Sequence, residues 1–188
     1  MQLAGFPAVL DFWLGAPDSR ERGRPRKAWF RKSDEFDREI RERFLALWEE
    51  ASRGGLGNWD TTPLAALALV VVLDQFPRNM FRGDARAFSS DARALAAASA
   101  AVDRGFDRPL LPHERTFFYL PFEHAEDLAA QRRSLELFGA FDPDNLEWAR
   151  RHHAVVERFG RFPHRNAVLG RRSTPEEIEF LKLPGSSF

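Results

Sequence analysis

The sequence predicts an all-α protein, and three observations support that fold class. Apolar residues recur with the 3.6-residue period of a helix through several long segments. Capping residues and prolines precede these segments, and glycines follow them. There is no convincing alternation of apolar and polar residues with period two, the pattern of a half-buried strand. We therefore expect about eight or nine helices, paired as antiparallel hairpins in a right-handed stack or bundle, and no significant sheet.

Three helices are predicted in the first half of the chain. They occupy residues 7–14, a long segment after Ser33, and a segment that begins at Thr62–Pro63. Ser33 is a typical N-cap, and the acids that follow it are favoured by the helix dipole. Gly15 ends the first helix, because glycine readily adopts a left-handed cap. The third helix is apolar on all sides, which predicts burial, and Pro77 stops or kinks it just past Gln75.

The second half of the chain contains the remaining helices. One runs from Asp84 to Gly105, one begins at Pro112 with a kink at Pro121, one runs from Asp142–Pro143 to about Phe159, and a short one follows Thr174. Thr174 and Glu177 have the spacing of a capping box. If the helix resumes after Pro121, His124 and Gln131 share an apolar stripe with Leu128, Leu135 and Phe138.

The length of 188 residues predicts a single domain spanning residues 1–188. With 44% apolar residues and 18 phenylalanines, the chain can build an independent core. Residues 15–32 contain several prolines, glycines and charged side chains, so we expect a partly mobile loop there. Residues 167–188 are expected to form a short helix and a tail.

The composition narrows the classes of function. The absence of cysteine excludes disulfides and thiolate metal sites, and the segment Met1–Leu14 lacks a secretory signal pattern, so we expect a cytoplasmic protein. The longest apolar stretch, Leu64–Leu73, is too short for a bilayer, which needs about 20 residues. The 28 basic and 28 acidic residues give a formal net charge of zero, so the protein has no overall positive field that would attract nucleic acid. Neither a membrane nor a nucleic acid is an expected partner, and the oligomeric state is not predicted.

Polar residues interrupt the helical pattern at residues 74–82, which we call the first cassette. The buried helix ends there in Asp74 and Gln75, whose burial costs several kcal/mol unless they have partners. Arg78 and Arg82 are the natural candidates, because a guanidinium group bonds a carboxylate in two-pronged fashion.

A second cassette, residues 158–166, repeats the order Phe-Pro-His-Arg-Asn where the first has Phe-Pro-Arg-Asn. It lies in a basic segment, since residues 150–172 contain seven arginines and one acid. One interpretation is structural: the arginines pair with acids elsewhere in the fold, and Arg and Asn bond the free carbonyls of a helix end. The other is that both cassettes converge on one pocket and offer donors to an anion.

Histidines are the other candidate functional groups. His124, on its apolar stripe, is either a core histidine with a satisfied ring or, beside a carboxylate, an acid or base. His152 and His153 are adjacent, point in different directions and make a poor metal pair. The sequence has no phosphate-binding loop, dinucleotide fingerprint, nucleophile elbow or His-Glu-x-x-His motif, so we expect no metal and no cofactor.

Several motifs together resemble the bacterial "domain of unknown function 924" family. They are Val9–Trp13, Trp29–Phe30, Leu73–Asn79, Tyr119–Glu126, Arg158–Asn166, and Leu169–Arg171 leading to Ser173–Thr174. The resemblance covers nearly the whole chain and implies a tetratricopeptide-like stack of helix pairs, but no activity. Ala125 departs from the family's His-Ser-Glu pattern, which puts any role for a hydroxyl at that position in doubt.

The sequence supports two hypotheses of function. The first is a pocket for a small anionic ligand, a phosphate or carboxylate metabolite, and it leaves open whether the site also catalyses a reaction. Its candidate catalytic residues are His124, Glu126 and His164. Its candidate ligand-binding residues are Gln75, Arg78, Asn79, Arg82, Arg161, His164, Arg165 and Asn166. A structural polar core is assigned to Asp74, Gln131, Arg158 and Arg171. The alternative is a helical-repeat scaffold that binds a peptide or a protein partner, which rests on fold analogy alone.

Overall fold

A computed structural model of the protein describes residues 3–29, 31–140 and 142–188. Every regular element within these residues is helical, which confirms the all-α prediction. Phe30 of the Trp–Phe motif lies outside the described residues. The α-helices are α1 (Phe6–Leu14), α2 (Asp34–Arg53), α3 (Pro63–Val70), α4 (Phe76–Met80), α5 (Asp91–Asp103), α6 (Pro112–His124), α7 (Leu128–Gly139), α8 (Pro143–Phe159) and α9 (Pro175–Leu181).

The predicted caps begin the helices for the expected reason: a side-chain oxygen accepts a hydrogen bond from a backbone N–H that the first turn leaves unsatisfied. Ser33 accepts from the N–H of Phe36, Thr62 from Ala65, Asp142 from Asn145, and Thr174 from Glu177. The capping box at α9 is complete, because the Glu177 side chain also accepts from the Thr174 N–H.

The described residues form two compact units. Unit 1 contains the described residues of 1–82 and 86–121, and unit 2 contains residues 83–85 and 122–188. In unit 1, the predicted apolar helix α3 packs against α1 and α5 and is buried except near its start, where Leu64 is 40% exposed, and at the half-buried Leu69. Aromatic rings fill the rest of this core, with centroid distances of 4.8 Å for Phe44–Phe76 and 5.7 Å for Trp13–Phe76. In unit 2, α7 packs against α8.

Pro77 does not stop the third helix; the chain passes through a π-helical segment, Val71–Gln75, and continues as α4. Proline has no N–H to bond the carbonyl four residues earlier, and its ring crowds that carbonyl. Here the carbonyl belongs to Leu73, and the hydroxyl of Ser90 donates to it over 2.6 Å. Trp48 donates in turn to Ser90 over 3.0 Å. The wider turn therefore places Asp74 and Gln75 in the core without an unsatisfied backbone carbonyl.

Two predicted helix boundaries are wrong. The fourth helix does not begin at Asp84, because residues 85–88 form a 3-10 turn and α5 begins only at Asp91. The helix kinked at Pro121 also does not run on to Phe138. It ends at His124, and Asp127 caps the separate helix α7 by accepting from the Ala130 N–H.

Because Asp127 begins α7 as a separate helix, the buried face of α7 differs from the predicted stripe. Gln131 and Phe138 are buried as expected, whereas Leu128 is exposed and Leu135 is half-buried. The positions that join the two buried residues are Ala130, Ser134 and Leu137. The predicted stripe assumed one continuous helix, and the break at residues 125–127 resets its phase.

Replacing Asp74 with alanine should lower the free energy of unfolding by about 2–4 kcal/mol, because Gln75 and Arg78 lose a buried carboxylate. Glu39→Ala, which removes an exposed ion pair with Arg43, is the matched control and should cost less than about 0.5 kcal/mol. Urea unfolding of both variants measures the difference. Equal losses would show that Asp74 contributes no more than a surface pair.

Replacing Thr174 with alanine should cost about 1 kcal/mol through the lost cap of α9. Thr174→Ser keeps the hydroxyl and should retain most of that stability. Thermal unfolding of the two variants tests the cap, and an unchanged melting temperature for Thr174→Ala would contradict it.

Candidate functional site

The first cassette lies in unit 1, and its polar residues bond each other and the neighbouring helices. The Asp74 carboxylate, 1% exposed, accepts from Gln75 over 2.5 Å and lies 3.3 Å from the Arg78 guanidinium. Arg78 also donates two hydrogen bonds to Asp91, at 2.9 and 3.0 Å. Burial alone would lower the pKa of Arg78, but the charges of Asp74 and Asp91 raise it above its ordinary value. Arg78 is thus the partner of Asp74 that the sequence predicts.

Arg82 has a different partner from the one expected. It donates to both oxygens of Asp37 in α2, at 2.5 and 3.0 Å, and the Asn79 amide donates to the same carboxylate over 2.8 Å. Both arginines of the first cassette are therefore bound to carboxylates within unit 1. This matches the structural interpretation of the cassette.

The second cassette lies in unit 2, and Glu126 fixes its turn. The Arg171 guanidinium donates to both oxygens of Glu126, at 2.6 and 2.9 Å, and the N–H of Phe162 donates to the same carboxylate over 2.7 Å. Burial alone would raise the pKa of Glu126, but these hydrogen bonds lower it below its ordinary value. Glu126 is therefore held as a carboxylate, which suits a structural role better than that of a proton donor.

Two other predicted donors of this cassette, Arg161 and Asn166, bind the Glu177 carboxylate. Arg161 donates to its two oxygens at 2.6 and 2.8 Å, and the Asn166 amide lies 3.2 Å from it. The bonds from Arg161 lower the pKa of Glu177 to about 2, and the Thr174 N–H acts in the same direction. Arg158 lies at the surface beside Glu176, not in a polar core. The sequence identifies Glu177 only as a cap, although it is an acid close in sequence to the basic segment.

The remaining candidates belong to a group that we call the histidine cluster: His124, His152, His164 and Arg165, around the rings of Phe162 and Phe188. The ring centroids of His124 and His152 are 6.2 Å apart. Phe162 lies 5.6 Å from His152 and 5.7 Å from His164. The guanidinium carbon of Arg165 lies 4.5 Å from the centre of the Phe162 ring.

Three elements bring these side chains together. His124 ends α6, His152 lies on the buried face of α8, and His164 and Arg165 lie in the 3-10 turn Pro163–Arg165. Gly160 ends α8 in the left-handed conformation, with φ of +69°, and the chain then turns into the second cassette.

His152 is held in one orientation by two acceptors. Its Nδ1 atom lies 2.9 Å from the Trp148 carbonyl and 3.2 Å from a Glu123 oxygen. Because both neighbours accept hydrogen bonds, Nδ1 carries the hydrogen of the neutral ring and Nε2 keeps its lone pair. The Glu123 carboxylate thus orients the neutral imidazole, whose Nε2 atom can act as a hydrogen-bond acceptor.

The surroundings of His152 lower its pKa. Burial is the main cause that lowers the pKa of His152 to about 3, and the neighbouring basic groups of His124, Arg165 and His164 lower it further. The imidazole of His152 is therefore neutral at ordinary pH.

In the described part of the chain, no group of three or more His, Asp or Glu side chains is placed to hold a metal ion. No helix in the same residues has the length and apolar character needed to cross a membrane.

Comparison with known proteins agrees with the motifs. A family model described as "Bacterial protein of unknown function (DUF924)" matches residues 9–185. The chain belongs to the DUF924 family. A solved structure of a protein of unknown function, ATU0120 from Agrobacterium tumefaciens, is 41% identical, with a TM-score of 0.85 over 94% of this chain and 96% of that one. The search of curated proteins gives no match.

In this DUF924 chain the structure brings Glu123, His152, Phe162 and Phe188 beside the predicted residues His124, His164 and Arg165. No feature of the sequence indicates a role for His152 beyond its place on an amphipathic helix. Its carboxylate partner is 29 residues away in the chain, and no local spacing indicates that pairing.

The pKa of His152 predicts how stability depends on pH. In the unfolded chain, His152 binds a proton when the pH falls below its ordinary pKa of about 6.5. In the folded chain, the same ring binds a proton only near pH 3. The free energy of unfolding should therefore fall on acidification, by about 1.4 kcal/mol per pH unit from this group between roughly pH 6 and 4. His152→Asn, which keeps a donor for Trp148, should show a shallower dependence in urea titrations. Parallel curves for the two proteins would contradict the assignment.

Proposed function

We propose that this chain binds a small anionic metabolite, with a phosphate or carboxylate group, at the histidine cluster of unit 2. The observation that carries the proposal is the gathering of basic side chains from separate elements around one ring: His152, His164 and Arg165 lie 4.5–5.7 Å from the Phe162 ring, and His124 lies 6.2 Å from His152. The guanidinium of Arg165 and the ring N–H groups of His124 and His164 can donate hydrogen bonds to a phosphate or carboxylate group.

His164 and Arg165 are the proposed anion-binding residues. They are consecutive in a tight turn, and Arg165 is 6% exposed, so its charge is screened less by solvent than that of a surface arginine. His124 and His152 complete the group from α6 and α8. In this proposal His152 stays neutral, because a pKa of about 3 makes its ring too weak a base to accept a proton near pH 7.

The other residues of the second cassette have a positioning role in this proposal. Arg161, Asn166 and Arg171 bind carboxylates of the protein itself, and in doing so they hold the turn that carries His164 and Arg165. The proposal does not need the first cassette, because Arg78 and Arg82 bind Asp91 and Asp37 within unit 1.

The test is a thermal-shift titration with inorganic phosphate, followed by phosphorylated and carboxylated metabolites. A ligand at a hundred times its dissociation constant should raise the stability by about 2.7 kcal/mol. Arg165→Gln and His164→Gln should each weaken binding about tenfold or more, since a hydrogen bond to a charged group contributes about 1.5–3 kcal/mol. Circular dichroism establishes that both variants are folded.

The matched control is Arg151→Gln, which removes an exposed arginine of α8 that pairs with Glu147. It should leave the affinity unchanged. Loss of affinity in the control to the same degree as in Arg165→Gln would identify nonspecific attraction by a basic surface. Absence of any shift across the anions would overturn the proposal.

A further inference from the structure

The ring of Phe188 occupies a site that is shaped for a planar group. It stacks on the imidazole of His152, with centroids 3.9 Å apart and planes inclined by 29°. The rings of His164 and Phe162 meet it nearly edge-on, at 5.8 Å and 70° and at 6.0 Å and 72°. One face and two edges of the Phe188 ring are thus lined by other rings. We call the space between His152, Phe162 and His164 the aromatic slot.

The segment that delivers Phe188 is held by few polar contacts. After α9 the chain turns at Gly185, whose φ is +74°. The Ser186 hydroxyl donates to the Leu181 carbonyl over 3.2 Å, and the Ser186 N–H donates to the Leu183 carbonyl over 3.3 Å. Both bonds lie within the segment itself and need not break when the Phe188 ring leaves. Phe188 keeps 41% of its surface exposed, so the ring gains only part of the burial that a core phenylalanine has.

The slot and the proposed anion site share residues. His164 lines one side of the slot, and the guanidinium of the next residue, Arg165, lies over the Phe162 ring, which lines the adjacent side. A molecule with a planar ring and an anionic group attached to it would therefore meet both features at once. Aromatic stacking prefers offset or edge-to-face contacts, which are the contacts that the Phe188 ring makes.

We propose that the aromatic slot is the subsite for a ring of the ligand, that the ligand is an aromatic carboxylate or phosphate, and that Phe188 occupies the slot in its absence. This inference rests on the proposed function for the anionic half of the ligand. Phe188 acts as an intramolecular competitor. The apparent dissociation constant of an aromatic anion is its intrinsic value divided by the fraction of molecules in which the slot is open.

Calorimetric titration of Phe188→Ala and the unmodified chain tests the inference with two pairs of probes. The aromatic anions are phenyl phosphate and benzoate, and inorganic phosphate and acetate are their counterparts without a ring. Phe188→Ala should bind the aromatic member of a pair about tenfold more tightly, as expected if the slot is open about a tenth of the time. The affinity for its counterpart should change by less than about threefold. Whether the gain appears with phenyl phosphate or with benzoate distinguishes a phosphate from a carboxylate ligand.

Leu183→Ala is the matched control, because Leu183 lies in the same segment and is exposed. It should bind all four probes as the unmodified chain does, and so should Phe188→Tyr, which keeps a ring in the slot. If inorganic phosphate binds but Phe188→Ala gains nothing for either aromatic anion, the inference is overturned and the proposed function stands. Phenol, which has the ring but no anionic group, is the remaining probe. If Phe188→Ala increases the affinity for phenol as much as for the aromatic anions, and the double variant Phe188→Ala/Arg165→Gln keeps that increase, the slot is supported and the anion site is overturned. If no probe binds any variant, both are overturned.

Discussion

The ion pair between Glu126 and Arg171 is the interaction on which the proposed site depends. Phe162 follows the end of α8, so its backbone groups lie beyond the hydrogen-bond ladder of that helix. Glu126 accepts the Phe162 N–H over 2.7 Å, and Arg171 donates to the Phe162 carbonyl over 3.1 Å and to Asn166 over 2.9 Å. One charged pair therefore satisfies both backbone groups at the start of the turn that carries His164 and Arg165. The N–H of Arg165 also donates to the Phe162 carbonyl over 3.1 Å, so the ion pair and the backbone bond of the turn together hold the residues that carry His164 and Arg165.

The two cassettes have a common structural pattern as well as a similar sequence. In each, the asparagine amide and an arginine of the same cassette bind one carboxylate: Asn79 and Arg82 bind Asp37, and Asn166 and Arg161 bind Glu177. The two cassettes differ at the arginine directly before the asparagine. Arg78 is bound by Asp74 and Asp91, and Arg165 lies over the Phe162 ring. The repeated motif therefore provides rigidity in both units, and the second cassette has an additional histidine, His164, directly before its arginine.

Helix caps and ion pairs between residues close in the chain could be predicted from the sequence, whereas contacts between residues far apart in the chain could not. The caps at Ser33, Thr62 and Thr174 follow from spacing within one turn, as does the pairing of Arg78 with Asp74 four residues earlier. Arg82 binds an acid 45 residues away, so no helical spacing indicates it. α5 begins at Asp91 rather than at Asp84, and Ser90 directly before it donates to the Leu73 carbonyl, a contact between distant residues that no local spacing indicates. His124 and His164 could be identified as polar residues at helix breaks, but the position of His152 among them depends on how α6 and α8 pack.

The histidine cluster is the place where the sequence departs most from what stability alone would favour. A buried position on α8 that lies against Phe162 would be filled at lower cost by an apolar side chain, which needs no partner and does not lose stability on acidification. The chain instead has an imidazole there, supplies it with Glu123 and the Trp148 carbonyl as acceptors, and lowers its pKa to about 3, mainly through burial. Natural sequences depart from locally favourable choices chiefly at functional sites. A buried imidazole at this position, with the basic side chains of His124, His164 and Arg165 beside it, is the feature of unit 2 that the proposed anion site would explain.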